Sequence, residues 1–322
     1  MPRWIRRVGA APLLSDLVGA IGGRLDGCGG DLPISDVGPI DADGSVALAA
    51  AWDPRSARAA ATSRARVLLT NETLGARLAG RPLWIHPRPR RALRGVLDGL
   101  YEPAPATGPW RSEAGGALIH VEAAVDPAAS LSPGVVIGPG AVVGAGVEIG
   151  PNATILHDVR IGEGVSIGPS CVIGADGFGI DAAPGEVDPE PIQHVGSVEI
   201  GRCASLGALV VVARGTLGAT RIGDHARIDA HVQVGHNVRI GDGCIVCAQV
   251  GIGGSASIGD GVWIGGQAGI ADHCRIGDHA RIAAQSGVIG DVPPGATYGG
   301  TPAVEHSEWM RGAARVHREL GR

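Results

Sequence analysis

His236 stands in Val234-Gly-His-Asn-Val-Arg-Ile-Gly241, between a glycine and an asparagine. A histidine takes up a proton near neutral pH, with an unperturbed pKa of about 6.5, so it suits the role of general base. A positioned base of this kind is worth roughly 10²–10⁴ in rate. His273 lies 37 positions later in the chain. What relates the two is a repeat. From Ile222 to Val288 every sixth residue is Ile or Val: Ile222, Ile228, Val234, Ile240, Val246, Ile252, Ile258, Ile264, Ile270, Ile276, Ile282, Val288. His236 follows Val234 by two and His273 follows Ile270 by three.

A helix repeats apolar residues every three or four positions and a half-buried strand every two, so a period of six fits neither. It is the signature of a solenoid, in which short strands and turns stack so that neighbouring repeats bury one continuous aliphatic column. Three hexads make one triangular coil, and residues 18 apart then lie above one another. Val234 and Ile270 are two coils apart on one face. With coils at the strand spacing of about 4.8 Å, His236 and His273 project from one wall roughly 10 Å apart. At that separation the two are too far apart to share one proton, so they would do different jobs. His225 and His279 fall on a second face and His231 on the third, with Gln249, Gln267 and Gln285 in a ladder beside it.

The same arithmetic extends the solenoid. Hexads begin near Ile119 or Val125 and run through Leu131, Ile137, Val143, Ile149, Ile155, Ile161, Ile167 and Ile173. A polar, proline-containing stretch, residues 175–195, then interrupts them and reads as a loop thrown out of the column, and loops of that length are often functional. The repeat resumes at Ile200, Leu206 and Val212, with a short insertion at 216–220. The expected layout is a small N-terminal α/β domain over residues 1–105, a linker at 106–118, the solenoid over 119–292, and a tail with a terminal helix over 293–322. In the first domain, helices are predicted around Leu13–Leu25 and Arg90–Leu100, with buried strands at Val67–Leu69 and Leu83–Ile85.

Composition narrows the function. The chain of 322 residues holds 54 Gly and one Phe, as thin coils with tight turns require. Its 27 basic residues are all Arg, and the formal net charge is −5, so no general nucleic-acid surface is expected. No apolar run reaches the ~20 residues of a membrane helix, and a cytoplasmic protein is expected. Cys244 and Cys247 form a lone CxxC inside the hexads, and reduced thiols are expected. His231 and His236 are five apart, a spacing that can serve zinc, but zinc needs a third protein ligand and no histidine falls at an obvious coil offset. No metal is expected.

The hexads, the loop opening Gly174-Ala-Asp-Gly-Phe-Gly179, and the His236-Asn237 hexad together resemble the UDP-3-O-acylglucosamine N-acyltransferases of lipid A biosynthesis. So do Ala248-Gln-Val-Gly-Ile-Gly-Gly254, Gly265-Gly-Gln267 and Gly299-Gly-Thr-Pro302. The resemblance covers roughly 120–302. It implies a mainly β chain, a left-handed parallel β-helix assembled as a homotrimer with active sites between subunits. It implies transfer of a 3-hydroxyacyl chain from the 4′-phosphopantetheine thioester of acyl carrier protein, a co-substrate, to the 2-amine of a UDP-linked, 3-O-acylated glucosamine, with no bound cofactor. It gives His236 as catalytic base, and His273, Asn237, Asp229 and Gln233 as substrate, oxyanion or phosphate contacts. Arg311, Arg315 and Arg318 on the terminal helix suit an acidic carrier protein.

The family's uridine-binding segment, a Phe followed by Asn-Pro-Lys-Tyr, is represented by Ala50-Ala-Trp-Asp-Pro-Arg-Ser56. Both aromatic positions are lost, and Trp52, Asp53 and Arg55 are the candidate nucleotide contacts in their place. Ala213-Arg214-Gly215 departs likewise from Asp-Arg-Gly. These losses leave open transfer to a different nucleotide sugar, or a non-catalytic paralogue that keeps the solenoid alone.

Overall fold

The computed structural model describes residues 4–7, 9–42, 44–53, 56–78, 80–104, 109–113, 115–182, 185–187, 189, 191–319 and 321. The chain divides into two units. The first comprises Met1–Thr107, Phe178–Val195 and Thr216–Gly218, and the second Gly108–Gly177, Gly196–Gly215 and Ala219–Arg322.

In the first unit four strands form one sheet in the order Arg24–Asp26, Leu83–Ile85, Val67–Thr70, Leu48–Ala50. The first pair is antiparallel and the others parallel. Val67–Thr70 and Leu83–Ile85 are buried throughout, as strands covered on both faces must be. The helix Pro89–Leu100 starts on a proline at its first turn and turns Leu93, Val96, Leu97 and Leu100 inward. The interruption of the hexads belongs here: Ile192 joins this core, and Arg88 pairs with Asp181 at 3.1 Å.

The second unit is a parallel β-solenoid of three sheets, of ten, ten and eight strands. Most strands are two residues long, with the first side chain outward and the second inward, as in Gln233–Val234 and Arg239–Ile240. Partners in neighbouring coils are 18 apart, as Gln233↔Gly251 and Gly251↔Gly269. Each hexad buries a second residue two before the Ile or Val: Ala226, Val232, Val238, Cys244, Val250, Ala256 and so on to Ala280. Cys244 is thus a small core residue, and burial pushes its thiol up to about 11. The stretch expected as a linker already contributes strands, since Trp110–Ser112 pairs antiparallel with Leu118–His120 at the head of one sheet. Pro103, Pro105 and Pro109 suggested a spacer; the residues directly after Pro109 pair instead. At the other end the helix His306–Glu319 has no buried residue.

The excursion is closed at its root by a fully buried arginine. Arg214 donates through Nε to Gly174 O at 2.9 Å, through Nη1 to Gly196 O at 3.0 Å and through Nη2 to His157 O at 2.9 Å. One guanidinium therefore ties the residue before the excursion, the residue after it and the coil alongside. The nearest carboxylate is distant, Asp176 at 3.9 Å, and burial brings the Arg214 pKa down to about 10. Next to it His157 Nδ1 lies 2.9 Å from Asp158 Oδ2, and this contact holds the Asp158 carboxyl below its ordinary range.

Two outcomes follow. Arg214→Met leaves three buried carbonyls without donors and should cost about 3 kcal/mol or more, read as a lowered midpoint in denaturant. Asp158 has a lowered pKa, so its contribution is present above the unfolded carboxylate pKa of about 3.9 and is lost as pH falls through the folded value. The Tm difference between wild type and Asp158→Asn should be largest at neutral pH and vanish in acid; a difference unchanged down to strong acid would contradict this.

Candidate active site

Three faces meet at three corners, and polar side chains stand either at the corners or at the single outward position of each two-residue strand. Call face one the sheet of Gln233–Val234, Gly251–Ile252 and Gly269–Ile270. Face two holds Arg239–Ile240 and face three Arg227–Ile228 and Ile245–Val246. Each corner has a residue at positive φ. Between faces two and three the column is His225, Gly243, Gly261 and His279. Beside it Asp242 Oδ1 accepts the Asp224 N–H, Asp260 Oδ1 the Asp242 N–H, and Asp278 Oδ1 the Asp260 N–H, at 2.8–3.0 Å. Between faces three and one stand His231 and the glutamine ladder, with Gln267 Nε2 donating to Gln249 Oε1 at 2.7 Å and Gln285 Nε2 to Gln267 Oε1 at 2.8 Å. Both columns are repeats of one contact from coil to coil.

The corner between faces one and two differs. Its positive-φ column is Asn237, Ser255 and His273, and its mid-turn column is His236, Gly254 and Asp272. His236 and His273 thus belong to one corner, two coils apart, each half-buried. The coils are joined there by Ser255 N–H to His236 O at 2.8 Å and His273 N–H to Gly254 O at 3.0 Å. The Asn237 amide meets the His236 ring, with Nδ2 2.8 Å from Nδ1, and the Asn237 N–H donates to Oγ1 of the buried Thr220 at 2.9 Å. The sequence reading gave Asn237 a substrate contact; its side chain is turned to the histidine.

Gly254 makes room for that ring. A Cβ there would sit 2.7 Å from His236 Nε2 and 2.8 Å from Cε1. The Nε2 edge therefore lies over bare backbone, where a ligand can approach closely. Gly253 is required for another reason: its Cβ would meet Asp272 N at 2.6 Å and Ala271 C at 2.9 Å, all main chain. Face one continues the opening, since its outward residues Gly251, Gly269 and Gly287 carry no side chain. The only polar outward residue on the strand leading to His236 is Gln233, exposed, with Nε2 3.4 Å from Val234 O. Asp229 stands at the far end of that strand, at the corner where the coil enters face one, and its Oδ1 accepts the Ala230 N–H at 2.7 Å. It shares a coil with His236 but not a corner.

The remaining candidates lie elsewhere. In the first unit Trp52 is half-buried against the core and the Arg90 guanidinium lies over its ring, 5.1 Å from the centroid. Asp53 Oδ1 accepts the Ser56 N–H at 2.9 Å and shapes the turn into the helix Ala57–Thr62. Arg55 lies outside the described residues. On the terminal helix Arg311 Nη1 bonds Ser307 Oγ at 3.0 Å and Arg315 pairs with Glu319 at 3.4 Å. Arg318 Nε donates to Ala314 O at 3.2 Å. Among the described residues no group of three His, Cys, Asp or Glu could hold a metal, and no helix is long and apolar enough to cross a membrane. Sequence reasoning missed Arg90, which lies outside the repeat, and Thr220, which fills the second inward position of its hexad; the fold brings them to Trp52 and Asn237.

The two adjacent glycines should separate folding from site geometry. Gly254→Ala, at a backbone φ that alanine adopts, should keep Tm near wild type while displacing the His236 ring, seen as a changed imidazole chemical shift and lost activity. Gly253→Ala should lower Tm, because main chain cannot give way; equal Tm losses in both variants would refute the assignment.

The model of the bacterial transferase hexapeptide (six repeats) matches residues 141–175, 219–254 and 255–290, which include both halves of this corner. The UDP-3-O-acylglucosamine N-acyltransferase of Verminephrobacter eiseniae is 40% identical over 237 residues, covering 70% of this chain and 69% of the relative. That of Myxococcus xanthus is 54% identical over 148 residues, 45% of this chain and 42% of the relative. Among solved structures, the UDP-N-acetylglucosamine O-acyltransferase of Moraxella catarrhalis is 28% identical, with 60% of this chain and 76% of that one covered at a TM-score of 0.40. The hexads, the histidine corner and an alignment spanning more than two thirds of a curated relative agree: this chain is an acyltransferase and belongs to the UDP-3-O-acylglucosamine N-acyltransferase family.

Proposed function

We propose that the chain transfers a 3-hydroxyacyl group from the thioester of acyl carrier protein to the 2-amine of UDP-3-O-acylglucosamine, with His236 as general base. The observation that carries this reading is the half-buried His236 ring, met at Nδ1 by Asn237 and with its Nε2 edge over the bare backbone of Gly254. The neutral amine attacks the thioester carbon while the carbonyl π pair moves to oxygen. His236 Nε2 takes a proton from the attacking nitrogen. Collapse of the tetrahedral intermediate re-forms the C=O, breaks the C–S bond, and the proton passes from His236 to the departing thiolate. The products are an amide and the free carrier thiol, so atoms and charge balance with no cofactor. The oxyanion needs preorganised donors, and backbone N–H groups of the glycine corner at Gly254 suit it, since the absent side chain leaves them approachable.

His273, two coils away and roughly 10 Å from His236 by the strand spacing, is assigned a contact to the donor's phosphate or pantetheine arm. Gln233 faces the glycine strip and is assigned to the acyl chain or sugar. Asp229, Trp52, Asp53 and Arg55 stay as candidate sugar and nucleotide contacts, and Arg311, Arg315 and Arg318 as contacts to the acidic carrier. Assembly as a homotrimer and a cytoplasmic setting go with a carrier-protein donor and this family. A second reading, transfer to another nucleotide sugar, is favoured by one observation: the Trp52 face that would stack on a base is covered by Arg90.

Incubation of the purified protein with 3-hydroxyacyl carrier protein and UDP-3-O-acylglucosamine should yield the amide, detected by mass. His236→Ala should lower kcat by about 10²–10⁴. No amide with this sugar but product with another UDP-amino sugar would establish the second reading, and full activity in His236→Ala would remove the base from the mechanism.

A further inference from the structure

We infer that Asn237 is the positioning residue of the base: its side-chain amide selects which nitrogen of the His236 ring carries the proton. The inference rests on the reading of His236 as the base. A neutral imidazole has one N–H and one lone pair, and only the form protonated at Nδ1 leaves Nε2 able to accept. The Asn237 amide lies against the Nδ1 edge, 2.8 Å away. Its two ends have nearly the same shape and opposite roles. With Nδ2 toward the ring the amide donates to Nδ1, the ring proton sits on Nε2, and the base is blocked. With Oδ1 toward the ring it accepts an Nδ1–H, and the Nε2 lone pair stands over Gly254. A half-turn of the terminal amide exchanges the two states.

The backbone alone does not call for asparagine here. Positive φ at this corner is also adopted by Ser255 and His273, one and two coils along, with φ of 62° and 57° beside 59° at Asn237. Nor does coil pairing call for the amide: it is the Asn237 backbone N–H that bonds buried Thr220 Oγ1 in the neighbouring coil, and this fixes the Cα. The chemistry also favours an amide over a carboxylate. Once His236 has taken the amine proton, both ring nitrogens are donors, and Oδ1 goes on accepting from Nδ1. A neutral acceptor orients the imidazolium without holding the proton back from the thiolate that must receive it. The other titratable or charged side chains placed around this corner are Asp272, His273 and Arg239, all half-buried or exposed.

Nitrogen-15 NMR of histidine-labelled protein, with His236→Gln to identify the signal, reads the tautomer without substrate. Wild type at mildly alkaline pH should show His236 protonated at Nδ1, and Asn237→Ala should move the proton to Nε2. In the acyl-transfer assay Asn237→Ala should lose about 10- to 100-fold in kcat with KM unchanged. Asn237→Asp, the isosteric variant, should retain the Nδ1–H form and shift the acid limb of the pH–rate profile upward by about one unit, as a carboxylate beside an imidazolium does. The same tautomer in wild type and Asn237→Ala, or a loss confined to KM, would overturn the proposal. Full activity in His236→Ala would instead remove the base reading, and the NMR comparison would still decide whether Asn237 sets the tautomer.

Discussion

Everything in the solenoid depends on backbone pairing between successive coils. A strand of two residues cannot persist alone, and a hexad cannot enclose the two aliphatic groups it turns inward. Stacking solves both at once: each coil's N–H groups find carbonyls in the next, and each inward pair is capped above and below. The inner dimension then admits Ala, Val, Cys and Ile but no ring, which is why the aromatic residues of this unit are at its ends or on its outside. Because the inward positions are fully committed to that column, chemistry is left to outward residues and corners, and the column spaces them.

The corners show what a uniform scaffold does with that freedom. Between faces two and three, aspartates repeat a single capping contact up the stack. Between faces three and one, glutamines pair amide to amide. The corner of His236 repeats in neither of its columns, with an imidazole, a bare glycine and a carboxylate succeeding one another at one position and an asparagine, a serine and a histidine at the next. A site here is a local loss of periodicity on a periodic support, and the departure is what marks it.

Much of this was legible in the sequence. The Ile and Val of each hexad announced the stack, and division by three put His236 and His273 on one corner and the other histidines elsewhere, as the columns of positive φ agree. The second inward position was not read, because Ala, Val and Cys alternate there without one recognisable residue type. The prolines before Trp110 masked the first strands of the solenoid. Arg214 was visible only as part of a departure from a family motif, although it is the buried clasp of the excursion; its partners, His157, Gly174 and Gly196, are up to 57 positions away and share no period. Trp52 was singled out for its type, but the guanidinium over it comes from a helix that the sequence places and does not orient. Contacts that repeat are written in the chain; contacts made once are not.

Across the excursion, strand partners stand 39 residues apart in place of 18, as Arg160↔Glu199 and Ser166↔Ser205, and across the shorter insertion 22, as Val211↔Gln233. The stack resumes in register after both. Extra chain is therefore admitted at a corner without altering the pitch, whereas the gap between two functional residues on one corner changes only by whole threads of the screw. An ancestor of this protein could lengthen a lobe gradually, residue by residue, but could move His273 away from His236 only in jumps, by duplicating or deleting a complete coil. Variation in such a lineage is continuous at its edges and digital along its axis.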